Sequence, residues 1–493
     1  MKQIWRTRTL AVPVLCILTT IALPAQTLIT LFSFDPSSTV GANPLAGLVQ
    51  ATNGALYGST EYGGANNCGT IFAITPRGAL TTVYSFPSGP PCNNLSSALV
   101  QAANGDLYGT RQYGGGEGLS YCFGGCGAVF KITLSGSLTT LHSFCSQIEC
   151  DDGMIPQGGL VQAANGDLYG TTWGGGASIY GTYGTVFSIT PSGTLTTLYS
   201  FCLESGCPDG SGPSGSLVQA TNGDFYGTSD NGGALGFCPP QGVPTQPQGC
   251  GTVFTITPSG TLTTLYSFCA QSGCADGALP SGGLVRAADG DFYGTTSSGG
   301  AANSGTVFRI TPSGTLTTLY SFCSQSGCPH GAGGMFEATD GNFYGTADGG
   351  GASGLGTVFR ITPAGALTTL DSFNGTNGSR PEGLAQATNG DLYGTTELGG
   401  ADDHGTVFGL SVGLEPFVET QPNFGTVGAP ITILGTDLTG AISVSFSGTP
   451  AAFDVVSPTY IRTTVPAGAT TGKVAVTTPG GTLFSGAPFL VLP

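Results

Sequence analysis

Short segments of alternating apolar and polar residues recur along the chain, separated by Gly, Pro, Asn and Ser. Each repeat contains four of them: Gly-Leu-Val-Gln-Ala, Asp-Leu-Tyr-Gly-Thr, Gly-Thr-Val-Phe-x-Ile-Thr and Leu-Thr-Thr-Leu-Tyr-Ser-Phe, here called segments a to d. Alternation with period two, rich in Val, Thr, Tyr and Phe, is typical of β-strands. Each repeat is therefore predicted to form a four-stranded meander. The Tyr-Gly pair of segment b marks seven repeats, beginning at Tyr57, Tyr108, Tyr169, Tyr226, Tyr293, Tyr344 and Tyr393.

The connections within a repeat carry turn residues. Asn-Gly or Asp-Gly separates a from b in every copy, as at Asn53-Gly54, and predicts a two-residue hairpin turn with positive φ at both positions. Thr-Pro-Ser-Gly separates c from d in the clearest copies, where Pro presets φ and Gly tolerates a reversed one.

The two ends of the repeat array complement each other. The seventh copy stops after segment c, at residues 405–412, while an isolated d-like segment stands at residues 27–34. The sequence thus predicts an all-β protein: a seven-bladed β-propeller whose last blade is closed by the N-terminal strand, leaving only short protected edges. A β-helix is the alternative, but it gives no reason for complementary half-units at the two termini.

The meander also divides the connections between two faces. Alternate strands run in opposite directions, so the b–c and d–a connections share one face, here called the variable face. The uniform a–b and c–d turns share the other, here called the turn face. Every loop of variable length and every cysteine beyond the leader falls on the variable face, where binding residues are expected.

Three further segments flank the repeats. Residues 1–25 combine basic residues with a short apolar run and predict a signal peptide. The propeller is assigned to residues 26–412 and a linker to 413–417. Residues 418–493 alternate over short strands and predict a small immunoglobulin-like β-sandwich. An exported protein, extracellular or at the cell surface with the periplasm as the alternative, is expected, with no membrane insertion after removal of the leader.

Charge narrows the range of partners. Without the leader, nine basic residues remain against 28 acidic ones, a net charge of about −19. Nucleic acid is therefore an unsuitable partner, and so is an anionic membrane surface. A monomer is expected.

The cysteines beyond the leader number 14, an even count that suits disulfides in an oxidising compartment. Four pairs with four intervening residues follow segment d: Cys145 with Cys150, Cys202 with Cys207, Cys269 with Cys274 and Cys323 with Cys328. The other six are assigned less firmly as Cys68 with Cys92, Cys122 with Cys126 and Cys238 with Cys250, since sequence does not fix connectivity. Zinc is the weaker alternative, because almost no His accompanies these cysteines.

The motifs Tyr-Gly-Thr-Thr, Gly-Thr-Val-Phe-x-Ile-Thr-Pro-x-Gly and Leu-Thr-Thr-Leu-Tyr-Ser-Phe resemble the GloVer-type tandem repeat of exported bacterial "choice-of-anchor" proteins, over residues 27–412. That resemblance implies export and surface anchoring, although no C-terminal apolar span or sorting motif is seen. The tail, with Ile-Thr-Ile-Leu-Gly-Thr from Ile431, is similar to IPT/TIG immunoglobulin-like domains. In exported bacterial proteins this resemblance implies a spacer or an adhesive module.

Aromatic residues open three successive b–c loops: Tyr62, Tyr113 and Trp173. Three flat rings on one side of the variable face are candidates for stacking on sugar rings. The alternative interpretation is that each ring covers the end of its own sheet.

Carboxylates provide weaker candidates. The seventh b–c loop holds Glu397, Asp402, Asp403 and His404, which could serve as a glycosidase pair, as Ca²⁺ ligands, or only as an exposed acidic loop. The Asp that follows the a–b turn in five repeats, as at Asp106, is explained by turn chemistry. No catalytic residue, metal or cofactor is assigned.

The leading hypothesis is a non-enzymatic exported protein that binds a glycan or surface polymer through the variable face, with the tail as a spacer. A propeller enzyme acting on polysaccharide, glycosidase or lyase, is the first alternative. A structural surface protein without a specific ligand is the second. Carboxylates converging at the centre of the variable face would favour the enzyme.

Overall fold

The structure, a computed structural model, describes residues 26–35, 39–88, 97–115, 122, 124–146, 148–177, 183–233, 238, 249–323 and 327–492. The predicted signal peptide lies outside these residues. The described chain consists of β-strands, with short 3₁₀ turns at Ile148–Cys150 and Ser272–Cys274. The all-β expectation is confirmed.

The repeats form seven four-stranded antiparallel sheets, numbered here in chain order. Sheets 1 to 3 contain β2 Val49–Gln50, β3 Leu56–Thr60, β4 Thr70–Ile74 and β5 Leu80–Ser85; β6 Val100–Gln101, β7 Leu107–Arg111, β8 Ala128–Ile132 and β9 Leu138–Ser143; and β10 Val161–Gln162, β11 Leu168–Thr172, β12 Thr185–Ile189 and β13 Leu195–Ser200. Sheets 4 to 6 contain β14 Val218–Gln219, β15 Phe225–Ser229, β16 Thr252–Ile256 and β17 Leu262–Ser267; β18 Ala278–Arg286, β19 Phe292–Ser298, β20 Thr306–Ile310 and β21 Leu316–Ser321; and β22 Gly327–Glu337, β23 Phe343–Gly351, β24 Thr357–Ile361 and β25 Leu367–Ser372. The strands of each sheet correspond to segments a to d.

Sheet 7 takes its strands from both ends of the array. It contains β26 Ser379–Gln386, β27 Leu392–Leu398 and β28 Thr406–Ser411, and its fourth strand is the N-terminal β1 Thr27–Ser33. β1 pairs antiparallel with β28, with Thr27 opposite Ser411 and Ser33 opposite Thr406. The missing d strand of the seventh repeat is thus supplied by the start of the chain, as the complementary ends predict.

The a–b turn differs from the predicted two-residue hairpin. Ala51 N donates to Ala55 O, Gly54 N donates to Ala51 O, and only Gly54, with φ 80°, has positive φ in this turn. This is a three-residue loop, a type I turn followed by a glycine in the left-handed region. The prediction of positive φ at Asn53 is wrong, because Asn53 is the third residue of the type I turn, where φ is negative. Its Oδ1 accepts the N–H of Ala55 at 3.1 Å.

Aromatic rings pack between consecutive sheets. The Phe that directly follows each d strand is buried and meets edge-on the Phe of the next sheet's c strand, with centroids 5.1 to 6.1 Å apart. The pairs are Phe34–Phe72, Phe86–Phe130, Phe144–Phe187, Phe201–Phe254, Phe268–Phe308, Phe322–Phe359 and Phe373–Phe408. Phe34 belongs to sheet 7 and Phe72 to sheet 1, so the first and last sheets are in contact.

Residues beyond sheet 7 form the C-terminal domain. One sheet contains β29 Glu419–Gln421, β31 Pro430–Leu434, β35 Tyr460–Thr464 and β34 Phe453–Ser457; the other contains β33 Thr449–Ala451, β32 Ser443–Phe446, β36 Val474–Thr478 and β37 Gly481–Phe484. β30 Phe424–Gly425 pairs parallel with β38 Leu490–Val491. Buried apolar residues of both sheets, among them Ile433, Val444 and Val476, form one core, as in a β-sandwich.

The C-terminal domain contacts the turn face. Phe417 N donates to Thr388 O at 3.0 Å, the hydroxyls of Thr436 and Thr388 lie 3.0 Å apart, and Thr459 Oγ1 donates to Thr52 O at 3.2 Å. Thr52 and Thr388 both lie in a–b turns. In place of the expected spacer, the structure has a domain that packs on the face opposite the variable loops.

Candidate functional site

Buried aspartates hold the d–a loops of the variable face in shape. The Asp276 carboxylate is fully buried and accepts hydrogen bonds from Tyr266 OH at 2.7 Å, Ala270 N at 3.0 Å and Gln271 N at 3.2 Å. Burial, together with the hydrogen bond and charge of Asp276, raises the pKa of Tyr266. A tyrosine ten residues before an Asp-Gly pair is the sequence signal for this arrangement, and sequence reasoning missed it.

Two other d–a loops have an aspartate at the equivalent position. Asp209 accepts from Tyr199 OH at 2.9 Å and Cys202 N at 3.0 Å, and burial raises its pKa. Asp152 accepts from His142 Nε2 at 2.9 Å and Ser146 Oγ at 2.7 Å. Burial acts to raise the pKa of Asp152, but the hydrogen bonds from His142 and Ser146 outweigh it and the net shift is downward.

Six of the predicted cysteine pairs lie at disulfide distance. Their Cα–Cα distances, from 4.1 to 5.8 Å, suit disulfides. These pairs are Cys122 with Cys126, Cys145 with Cys150, Cys202 with Cys207, Cys238 with Cys250, Cys269 with Cys274 and Cys323 with Cys328. Cys92, the expected partner of Cys68, lies outside the described residues. The disulfide-distance pairs fit an extracellular protein.

Cys207 and Cys328, the second cysteines of their pairs, differ in secondary structure. Cys207 is buried in a d–a loop, with its Cα 4.2 Å from that of Cys202, and its N–H donates to Glu204 O at 3.1 Å. Cys328 is not in a loop, as the sequence suggests, but within strand β22. The reason is that the pairing of β22 with β23 extends back to Gly327, so the a strand of sheet 6 begins before this cysteine. The Cα atom of Cys328 still lies 5.8 Å from that of Cys323.

Disulfides of neighbouring loops pack together. The sulfur atoms of Cys122, Cys126 and Cys145 lie within 4.8 Å of one another, and so do those of Cys238, Cys250 and Cys269. Each group consists of the cysteine pair of a b–c loop and the first cysteine of the pair in the following d–a loop. Because thiolates, not disulfides, ligate metals, this geometry fits two packed disulfides.

The three candidate aromatics differ in exposure. Tyr62 is 44% exposed and Trp173 39%, whereas Tyr113 is partly buried. The bridges Ala42–Tyr62, Met154–Gly174 and Ser211–Asn231 show that Tyr62 aligns with Gly174. Trp173 therefore occupies the preceding position, which is acidic in four sheets: Glu61, Asp230, Asp348 and Glu397.

Trp173 packs against the loop that leads into the next sheet, whereas the alternative interpretation placed it over the end of its own sheet. Its indole lies over Gly212, the residue after the Ser211 bridge, so closely that a Cβ at position 212 would be 3.0 Å from Nε1. It thus covers a loop that leads into the next sheet, while 39% of the residue stays exposed.

Tyr62 lies among carboxylates. A hydrogen bond with Glu61, then burial and the negative charges of Glu61 and Glu397, raise the pKa of the Tyr62 phenol. Asn43 joins the loops of sheets 7 and 1 here, since its Nδ2 donates to Glu397 O at 3.2 Å and Glu61 N donates to its carbonyl oxygen at 3.0 Å. Tyr62 therefore presents an accessible ring flanked by hydrogen-bond acceptors.

Glu382 of β26 is a carboxylate that sequence reasoning missed. Burial, followed by the charges of Glu397 and Asp348, raises its pKa to about 7, while Arg380 acts in the opposite direction. Arg380 Nη1 lies 3.3 Å from Glu397 Oε2. An a-strand acid is thus close to acids of the b strands β23 and β27, where sheets 6 and 7 adjoin. Glu397, which the sequence predicts in the seventh b–c loop, lies in β27, because the pairing of the b strand with β26 extends to Leu398.

Asp402, Asp403 and His404 of the seventh b–c loop have different environments. Asp403 Oδ1 accepts the N–H of Gly399 at 2.8 Å, as Asn67 does from Gly63 at 3.0 Å and Asn303 from Gly299 at 2.9 Å. Asp403 is therefore a turn residue, with φ 60°. Asp402 is exposed, and His404 Nδ1 lies 3.2 Å from Asn43 Oδ1.

The aspartates that follow the a–b turns are structural. Asp106 N donates to Asn104 Oδ1 at 3.1 Å, and Asn104 Nδ2 donates to Asp106 Oδ2 at 3.2 Å and Tyr108 OH at 2.9 Å. The interpretation of these aspartates as turn residues fits this geometry.

The sequence of the chain matches the Gloeobacter/Verrucomicrobia repeat model over residues 17–238, 122–334 and 243–431. The chain belongs to this family. An IPT/TIG domain model matches this member of the Gloeobacter/Verrucomicrobia repeat family at residues 418–490, on the C-terminal domain. Both family resemblances drawn from the sequence are confirmed. A search of curated proteins finds no match to this chain.

Several solved structures are similar to this repeat protein. The surface component PorZ of the type-IX secretion system of Porphyromonas gingivalis is 14% identical, with a TM-score of 0.47 over 94% of this chain and 61% of that one. An auxiliary nutrient binding protein from Bacteroides thetaiotaomicron is 14% identical, with a TM-score of 0.41 over 78% and 76%. The PQQ-bound aldose sugar dehydrogenase of Streptomyces coelicolor is 13% identical, with a TM-score of 0.38 over 79% and 100%. At these values the similarity carries no information about ligands.

Within the described residues, no helix has the length and apolar character needed to cross a membrane.

Proposed function

We propose that this protein is an exported binding protein that recognises a glycan or surface polymer through its variable face. The observation that carries the proposal is the accessible rings of Tyr62 and Trp173, held on loops of the same face. Aromatic rings of this kind are well suited to the apolar faces of sugar rings.

The surroundings of the rings suit the same ligand. Glu61 and Glu397 lie beside Tyr62, and Asp230 and Asp348 occupy the Trp173 position in other sheets. Carboxylates accept hydrogen bonds from several hydroxyls at once, so rings and acids together suit a neutral polyhydroxyl ligand. The acidic surroundings disfavour an anionic polymer.

We also infer that the seven sheets are the blades of a closed propeller. Support comes from β1, which completes sheet 7, and from the Phe34–Phe72 contact between the last sheet and the first. Closure makes the variable face a rigid platform for loops that differ in every repeat.

A polysaccharide-active enzyme is the second candidate, and Glu382 is the observation that favours it. A carboxyl with a pKa of about 7 beside Glu397 and Asp348 resembles the acid and carboxylate pair of glycosidases. In that case Glu382 would donate a proton to the leaving oxygen and Glu397 or Asp348 would act as the second carboxylate.

A glycan and polysaccharide screen of the purified mature chain, with released reducing sugar measured in parallel, separates the candidates. The binding proposal expects retention without release. It also expects loss of binding in Y62A/W173A and not in F484A, which removes an aromatic ring 56% exposed on the C-terminal domain. Sugar release that is lost in E382Q would favour the enzyme. No binding and no release would leave a structural surface protein.

A further inference from the structure

A cavity of about 700 Å³ lies between the C-terminal domain and the a strands of sheets 3 to 7. Its walls include Val218, Val285, Phe336 and Leu384 from the sheets and Phe424 from the C-terminal domain. This volume is in the range of small-molecule sites, and the walls are largely apolar. The cavity is on the turn face and is separate from the variable face.

A repeated hydrogen bond crosses from six of the seven a–b turns to the next sheet. The side chain that ends an a strand accepts the N–H of the first turn residue of the preceding sheet, at 2.8 to 3.2 Å. The donor and acceptor pairs are Thr52–Gln101, Ala103–Gln162, Ala164–Gln219, Ala288–Glu337, Thr339–Gln386 and Thr388–Gln50.

The pattern is broken at one position. Arg286 stands where the other sheets carry Gln or Glu, and a guanidinium has no acceptor atom. The N–H of Thr221 accordingly has no acceptor within the described part of the chain. The Arg286 side chain likewise makes no hydrogen bond or ion pair with any described residue. Both Thr221 and Arg286 line the cavity, so two donors without acceptors converge there.

The other charged groups of the cavity are Lys473, Glu337 and Glu419. Lys473 Nζ donates to Ser485 O at 2.8 Å and also to Gly486 O, and burial lowers its pKa. Glu337 is occupied by the N–H of Ala288, and its charge acts on both Lys473 and Arg286.

Glu419 also lines the cavity, and burial by the surrounding protein raises the pKa of its carboxyl to about 7. Glu337 already accepts a hydrogen bond and Glu419 is readily protonated, so these two acids do not neutralise the positive charges of Arg286 and Lys473. Two of the nine basic residues beyond the leader thus line one cavity of a strongly acidic protein.

We propose that this cavity binds a small organic carboxylate. The carboxylate group accepts hydrogen bonds from the Arg286 guanidinium and the Thr221 N–H, and the apolar body packs on Val218, Val285 and Phe336. Arginine suits this role because its planar donors match a carboxylate in two places.

Isothermal titration calorimetry of the full mature chain tests the proposal, with phenylacetate and isovalerate as probes and phenylacetamide as the neutral match. We expect the carboxylates to bind and the amide to bind at least tenfold more weakly. R286Q is the decisive variant, because it removes the cation and restores the acceptor that Thr221 lacks. It should weaken carboxylate binding at least tenfold while raising the melting temperature by roughly 1–2 °C. The matched control R462Q changes an exposed arginine of β35 in the C-terminal domain and should leave binding unchanged.

Three results would overturn the proposal: no heat from either carboxylate at millimolar concentration, equal binding of phenylacetamide, or undiminished binding by R286Q. A lower melting temperature for R286Q would contradict the premise that Thr221 lacks an acceptor because of Arg286.

Discussion

The ring of Phe34 packs edge-on against the ring of Phe72, with the two centroids 5.5 Å apart. Phe34 follows the N-terminal strand and is fully buried, and Phe72 belongs to the c strand of the first sheet. The same kind of pair joins each of the other consecutive sheets, so the last sheet meets the first by the contact that joins the rest. The N–H of Phe34 also donates to Gly405 O at 3.0 Å, which fixes the end of β1 against β28.

Phe34→Ala should destabilise the protein by about 3–5 kcal/mol, because it leaves a cavity where the two ends of the repeat array meet. Chemical denaturation followed by fluorescence measures this change. Phe484→Ala, at an exposed ring, is the control and should stay within about 0.5 kcal/mol of the parent. Equal effects of the two changes would refute a closed ring held at Phe34.

The repeats made much of this architecture predictable. Segment boundaries, the complementary strand at residues 27–34 and the cysteine pairs all follow from local pattern and spacing. The turn geometry at Asn53-Gly54 does not follow from the sequence, since the same dipeptide occurs in two-residue and three-residue loops, which differ in hydrogen-bond register. The strand position of Cys328 was also missed, because the length of β22 depends on its pairing with β23 and not on local pattern.

Other features depend on contacts between segments that share no pattern. Arg286 replaces the Gln or Glu that ends the other six a strands. The consequence of this difference is visible only in the structure, where Gln219 and Glu337 accept N–H groups from neighbouring sheets. Docking of the C-terminal domain rests on Thr52 and Thr388, which are ordinary turn residues in the sequence. The acidic group around Glu382 joins an a strand with the b strands of two neighbouring sheets, and the sequence alone does not show that these strands lie side by side.

Asp276→Ala should destabilise the protein by roughly 2–4 kcal/mol, since it leaves the N–H groups of Ala270 and Gln271 and the Tyr266 hydroxyl without their acceptor. The shift of the denaturation midpoint reports this loss. Asp402→Ala, at an exposed acid, provides the comparison and should have little effect. A neutral result for Asp276→Ala would mean that the loop is held by the pair of Cys269 and Cys274 alone.

Loss of that cysteine pair should cost about 2 kcal/mol, because the loop it closes is short. The double variant Cys269→Ser with Cys274→Ser should therefore be no more destabilising than Asp276→Ala, by the same denaturation measurement. A much larger loss in the double serine variant would show that the cysteines, not the aspartate, organise this d–a loop.

Glu382→Gln should stabilise the protein at alkaline pH. The folded-state pKa of about 7 exceeds the value of about 4.5 expected in the unfolded chain, so the folded form binds the proton more tightly. Stability from this group is present below pH 4.5 and is lost as the pH rises through 7. The variant should be more stable than the parent at pH 8, by up to about 3 kcal/mol, and similar to it at pH 4.

Melting curves of the Glu382→Gln and parent proteins at several pH values test this. Asp402→Asn is the matched control and should show no such dependence on pH. A variant less stable than the parent at pH 8 would mean that the Glu382 carboxylate is favourably paired in its ionised form, and the direction of the shift would be wrong.

Titration of the mature chain with the neutral polysaccharide that it retains most strongly tests the binding account most directly, with calorimetry as the measure of affinity in every variant and the fluorescence of Trp173 as a second signal in the parent, since Trp173 is the one tryptophan beyond the leader. The account predicts saturable quenching or enhancement at Trp173 and at least a tenfold loss of affinity in W173A, from a lost stacking contact of about 1.4 kcal/mol or more. F484A should bind as the parent does. Binding that survives in both W173A and Y62A would place the ligand elsewhere and contradict the assignment of function to these two rings.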